Sequence, residues 1–153
     1  MKTIDHVIVY TLQDNFGSPV EPSDVMTFSN YGVTAFDVQG WNGVAWVTLG
    51  TVNGNNLVKR RVNFSAFTTD RIRINVTNAL AAYARIVEVE AFGVAAGPEQ
   101  SNVASVDAAA VASASSSFSA GYPVAAVNNG DRTGAAWGAG GGWNDATSGV
   151  FPD

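Results

Sequence analysis

The sequence predicts an all-β fold, an antiparallel β-sandwich, and two observations predict it. Short runs rich in Val, Ile, Thr and aromatic residues recur about every ten residues through the first 93 positions, the spacing of sandwich and barrel strands. Gly and Asn divide those runs, most clearly at Asn42-Gly43, a strong two-residue hairpin signal, and at Asn53-Gly54. Ile4 to Leu12 opens with alternation and becomes nearly continuous apolar, as a strand buried on both faces does. Ala35 to Trp41 alternates, with Phe36, Val38 and Gly40 on one side and Asp37 and Gln39 on the other. Ala45 to Val52 follows the first Asn-Gly turn, and further strands are expected at Leu57 to Phe64, Arg71 to Val76 and Arg85 to Phe92. Beyond them, Asn102 to Ser117 is Ala, Ser and Val without a periodic apolar stripe, which favours an extended, partly paired segment over a helix. Gly121-Tyr122-Pro123 reads as a turn, and Gly138 to Gly142 as a loop.

Composition narrows the class. With 153 residues the chain is one domain of ordinary size. At 46% hydrophobic and 14% charged it is neither a disordered acidic chain nor a coiled coil. Its apolar runs fall far short of the roughly 18 residues a membrane-spanning helix needs, so a soluble protein is expected. The net charge of -5, with one short basic cluster at Lys59-Arg60-Arg61, gives no broad basic face for nucleic acid. Met1 to Asp5 lacks the layout of a signal peptide. With no Cys there are no disulfides, thiolate nucleophiles or Cys-ligated metals, which leaves secretion open.

The composition is also uneven. Residues 1–93 hold every Leu, Ile, Lys, Met and His, whereas residues 94–153 are rich in Ala, Gly, Ser and Asn with Arg132 as their single base. The chain reads as two differently built pieces.

The first piece contains Ile4-Asp5-His6-Val7-Ile8-Val9-Tyr10, Phe36-Asp37-Val38-Gln39-Gly40-Trp41 with Trp46-Val47-Thr48-Leu49-Gly50, Thr69-Asp70-Arg71-Ile72-Arg73-Ile74, and Ile86-Val87-Glu88-Val89-Glu90-Ala91-Phe92-Gly93. The second contains Asn102-Val103-Ala104, Ala112 to Ser115, Tyr122-Pro123, Ala126 to Asp131 and Trp137. As an ordered set these motifs resemble the discoidin, or coagulation factor 5/8 type C, family, in its bacterial carbohydrate-binding-module form with a galactose-binding-like jelly-roll sandwich. Residues 1–93 look like the C-terminal half of such a domain and 102–153 like the N-terminal half, joined by a linker over 94–101. The order is therefore permuted, or straddles two tandem repeats. The family also places a Trp-x-x-Val-Asp-Phe-Gly strand between stretches that look like Phe151-Pro152-Asp153 and Lys2-Thr3-Ile4-Asp5, and no such sequence occurs here. One strand position is expected to be vacant, which would admit a homodimer, a swapped segment or a peptide.

Asn128 to Thr133 supplies side-chain oxygens around Gly130, where carbonyls can converge on a hard cation. Read by itself, the stretch is an ordinary Asx-rich turn before it is a cation site, and only the resemblance reverses that order. The resemblance implies a structural Ca²⁺ held by Ala126, Asn129, Asp131 and Thr133 together with Glu88 on the last strand, with Glu90 two residues on. Many relatives have Asp where this chain has Asn129, which weakens the attraction.

A sugar site needs aromatic faces plus amides, Arg or acids on loops of a rigid scaffold. Tyr83 stands where relatives place a stacking aromatic, and the other loop candidates are Asn15, Phe16, Tyr31, Arg132, Trp143 and Asn144. Tyr83 would also serve as a cover for strand ends. Trp41, Trp46 and Trp137 match positions that pack the family's core, and Trp143 is placed with them as well as among the ligand candidates.

His6, the single histidine, has no Ser, Cys or second His to form a catalytic constellation, and reads as a strand residue. Arg60-Arg61, Arg71 and Arg73 read as solvated strand faces, paired with Asp70 or with Glu88 and Glu90. Glu88 and Glu90 lie side by side on one strand and do not face each other across a cleft, as glycoside hydrolysis requires. The expectation is a non-enzymatic, Ca²⁺-stabilised glycan- or polysaccharide-binding adhesion module from a surface or secreted tandem-repeat protein. Its alternative is a structural or assembly module that pairs by strand complementation.

Overall fold

The computed structural model describes residues 1–93 and 101–153, so the expected linker at 94–101 lies outside the described residues except for Ser101. Two antiparallel sheets pack face to face. One has the order β4-β1-β6-β7 and the other β3-β2-β5, built from β1 (Lys2–Thr11), β2 (Val33–Trp41), β3 (Trp46–Val52), β4 (Lys59–Thr69), β5 (Ile72–Ala79), β6 (Arg85–Phe92) and β7 (Trp143–Asn144). All six strands expected in the first piece form. The second piece supplies only β7 and short 3-10 turns at Val106–Ala108 and Val124–Asn128 among the described residues.

The core follows from strand alternation. Ile4, Val7 and Val9 of β1, Phe36 and Val38 of β2, Val76 of β5 and Val89 and Ala91 of β6 meet between the sheets. The other face of β1 and β6 is covered too: Ile8, Tyr10, Leu12 and Val87 form a second cluster under Tyr31, Phe92 and Trp137. That double cover is why β1 carries a continuous apolar run.

Two glycines let the sheets close along one side. A Cβ on Gly40 would stand 2.6 Å from the Phe67 ring, and one on Gly50 would stand 2.5 Å from a Val62 methyl. Side chains of β4 therefore seat directly on the backbone of β2 and β3. The opposite side is different. There a groove of about 1030 Å³ runs beside β5, lined by Ile72, Ile74, Val89, Val103 and Val127.

Three expectations need correction. The β2–β3 connection is not a two-residue turn: four residues separate Trp41 from its partner Trp46, and Asn42 Oδ1 accepts from the N–H groups of Val44 and Ala45 at 2.9 and 2.8 Å. Trp41 and Trp46 are not core residues. They stand half-buried and edge to face, 5.5 Å apart, with Arg71 and Arg73 over their rings at 5.4 and 4.6 Å. The expected arginine pairs form only in part, with Asp70 and not with Glu88 or Glu90. Arg71 meets Asp70 at 3.1 Å and Arg73 Nε donates to Gln39 Oε1 at 2.8 Å, while Glu88 and Glu90 belong to the other sheet.

Candidate functional site

Loops gather at the end of the sandwich where β1 finishes and β6 begins, around a cleft of about 210 Å³. Its walls are aromatic. Tyr83 and Phe118 meet edge to face at 5.8 Å, Phe118 and Tyr122 at 5.8 Å, and Tyr122 and Trp137 at 5.1 Å. Phe16 and Tyr31 form a similar pair at 5.5 Å from the β1–β2 loop. Arg85, the first residue of β6, lies over both Tyr31 and Tyr83, at 5.5 and 5.3 Å from the ring centres. Its guanidinium also donates to the carbonyls of Leu80 and Tyr83 at 3.1 and 3.2 Å. Burial lowers its pKa, opposed by Asp145 and the surrounding tyrosines.

Backbone bonds hold the second piece to this end, Asp145 N–H donating to the Ala84 carbonyl at 3.1 Å and Gly149 N–H to the Ala82 carbonyl at 2.7 Å, and others fold the piece on itself. Phe118 N–H donates to the Asn144 carbonyl at 2.9 Å, and Gly140 N–H donates to the Gly121 carbonyl at 2.9 Å. Asn144, buried in β7, lines the cleft and donates its amide to the Asp145 carbonyl at 2.7 Å. Asp145 lies behind it, its Oδ2 accepting from Ala84 N–H at 3.1 Å. Burial pushes the Asp145 carboxyl up to about 7, with a hydrogen bond to Asp153 adding to the shift.

Of the seven sugar candidates, Tyr83, Phe16, Tyr31 and Asn144 meet in this cleft. Asn15 is exposed beside it and donates to the Ser18 carbonyl at 2.8 Å. Trp143 is buried in the core, where its Nε1 donates to the Ser116 carbonyl at 2.7 Å. Arg132 is engaged elsewhere: its Nε donates to Glu90 Oε1 at 2.7 Å, and a second nitrogen reaches Glu21 at 3.5 Å. Tyr10 donates to the other Glu90 oxygen at 3.0 Å. Trp137 is half-buried and faces the cleft as well as the second cluster. Sequence reasoning missed Arg85, Phe118 and Tyr122 as cleft residues. His6 is buried on β1, bonded to Asp5 at 2.6 Å and stacked on Phe92.

A second cluster joins β6 to the loop after the Val124–Asn128 turn. Gly130, with φ of 89° in the left-handed region that favours glycine, donates its N–H to Glu88 Oε2 at 3.1 Å. The Thr133 carbonyl accepts from Gln13 Nε2 at 3.0 Å, and the loop also bonds to itself. Asn129 Oδ1 accepts from Asp131 N–H at 2.8 Å, and Asp131 Oδ1 accepts from Thr133 N–H at 2.9 Å and from its hydroxyl at 2.6 Å. Glu88 is fully buried, and its Oε1 has no hydrogen-bond partner among the described residues. Burial pushes its carboxyl up to about 7 against the lowering effect of the Gly130 and Asn129 amides. The orphaned Oε1 is an oxygen that a hard cation would satisfy, while the groups the loop turns to this carboxylate are the Gly130 and Asn129 N–H. The described residues contain no cluster of three or more His, Cys, Asp or Glu side chains, so a cation here would draw on backbone and amide oxygens.

No protein-family profile, curated protein or solved structure matches the chain. Among the described residues, no helix is long and apolar enough to cross a membrane.

Proposed function

We propose that the chain is a non-catalytic carbohydrate-binding module of a surface or secreted protein, taking its glycan in the cleft between Tyr31, Tyr83 and Phe118. The observation that carries this reading is the cleft itself: aromatic rings from three separate loops converge around Arg85 and Asn144 at the loop end of a rigid sandwich. Sugar C–H faces stack on such rings, and guanidinium and amide groups take hydroxyls. At about 210 Å³ the cleft is below the usual size of drug-sized pockets, which suits a chain end or a single residue more than a long polysaccharide run. One such contact binds weakly, and repeated copies would supply avidity.

Ca²⁺ is the second part of the proposal. Glu88, with oxygens of Ala126, Asn129, Asp131 and Thr133, would hold it, and its chemistry is structural, neutralising a buried carboxylate and tying the loop to β6. The test is a glycan array run with and without EDTA, followed by calorimetric titration of any hit. Saturable binding of a neutral or acidic sugar supports the reading. An array without a single reproducible hit in Ca²⁺ buffer overturns it.

A further inference from the structure

Arg85 is the one charged side chain of the aromatic cleft, and among the described residues no acid lines it. That guanidinium is fixed from one side only. Its Nη1 donates to the Leu80 and Tyr83 carbonyls at 3.1 and 3.2 Å, and the Tyr31 and Tyr83 rings flank it at 5.5 and 5.3 Å. The turn that presents those carbonyls carries Ala81 and Ala82 at φ of 50° and 61°, in the left-handed region that is costly for a residue with a Cβ. The other edge is left open. Neither Nε nor Nη2 bonds to a described residue, and neither is buried. Asp145 lies behind the cleft wall with its Oδ2 on the Ala84 N–H at 3.1 Å, and it makes no ion pair with Arg85.

We propose that the sugar taken in this cleft is a uronic acid at the end of a glycan chain, its carboxylate paired side-on with the Nε–Nη2 edge of Arg85. This rests on the glycan reading above and names the class of sugar. A planar carboxylate matches two parallel N–H groups of a guanidinium, whereas a neutral hydroxyl engages them singly. Burial penalises the Arg85 charge and lowers its pKa, and an anion brought to the open edge offsets that penalty. The sugar ring joined to the carboxylate then has the rings of Phe118 and Tyr122 to lie against. Net charge restricts the contact to one acidic residue. At -5 the protein repels a polyanionic run over most of its surface, and the cleft offers a single cation.

NMR titration of the ¹⁵N-labelled full chain tests it, with methyl galacturonide and methyl glucuronide as probes, each beside its own methyl ester. The ester keeps the ring and its hydroxyls and removes the charge. At least one acid should shift the Arg85 Nε–H signal saturably and bind about tenfold more tightly than its ester, the scale of a charge-assisted hydrogen bond. Arg85→Gln should abolish the difference between acid and ester, and the comparison of probes on the unmodified chain stands even if that variant does not fold. An ester that binds as tightly as its acid, with shifts in the cleft, overturns the uronic acid and leaves the glycan reading in place. Shifts at Phe118 and Tyr122 without one at Arg85 do the same. If neither acid shifts any cleft signal the proposal falls, and the glycan array decides the broader reading separately.

Discussion

Arg132 and Glu90 join the two compositional pieces of the chain, the guanidinium Nε donating to the carboxylate at 2.7 Å across 42 positions of sequence. The Glu90 side chain is 3% exposed, so it depends on that partner and on Tyr10. Arg132→Met should cost about 2–3 kcal/mol in urea unfolding, less than the 3–5 kcal/mol of a fully buried pair because Arg132 itself is 41% exposed. Adding Glu90→Gln should recover much of the loss, since the stranded charge is what destabilises. A double variant no more stable than the single one would show that the charge is not the cause.

Asp145 sets a pH dependence. Its carboxyl is raised from an ordinary 3.8 to about 7 by burial and by the neighbouring Asp153. An acid raised on folding holds its proton longer in the folded chain, so stability is lost as pH climbs from about 4 through about 7. The melting midpoint should therefore fall between pH 5 and pH 8, and Asp145→Asn should flatten that fall. An unchanged slope in the variant refutes the assignment.

Ca²⁺ should raise the melting midpoint by several degrees at pH 8, because a ligand bound only by the folded state stabilises it. Glu88→Gln should remove the Ca²⁺ increment while keeping the fold, since the amide preserves shape and the bond from Gly130. A midpoint indifferent to millimolar Ca²⁺ in the unmodified chain rules the metal out.

Phe118 is 52% exposed, so Phe118→Ala should change stability by less than about 1 kcal/mol. If the cleft is the sugar site, the same change should weaken the array's best glycan about tenfold or more, the scale of a lost aromatic stacking contact. Undiminished affinity in calorimetry would move the site elsewhere.

Much of the fold was legible in the sequence because local patterning agrees with the sheets. The continuous apolar run of β1 announces cover on both faces, and the alternation of β2 announces one wet face. Trp41 shows both the strength and the misuse of that signal. With Phe36, Val38 and Gly40 turned inward, parity alone sends Trp41 outward, whereas the family resemblance placed it in the core. The cleft was less legible. Tyr83, Phe16 and Asn144 could be picked as loop residues, but Phe118 and Tyr122 join them only through long-range bonds such as that from Phe118 to Asn144, which no local pattern encodes. Arg85 was hidden by its place at a strand start, where an arginine ordinarily marks a solvated face.

The double cover of β1 also has a cost in time. Its hydrogen-bonding partners are β4, which finishes at Thr69, and β6, which finishes at Phe92, so this apolar strand is made well before either strand that pairs with it. At a synthesis rate of about 5–20 residues per second, Thr11 waits roughly 3–12 s before even β4 is complete. Through that interval Ile4 to Leu12 lacks both of its sheet partners, and an apolar strand left unpaired is an aggregation hazard.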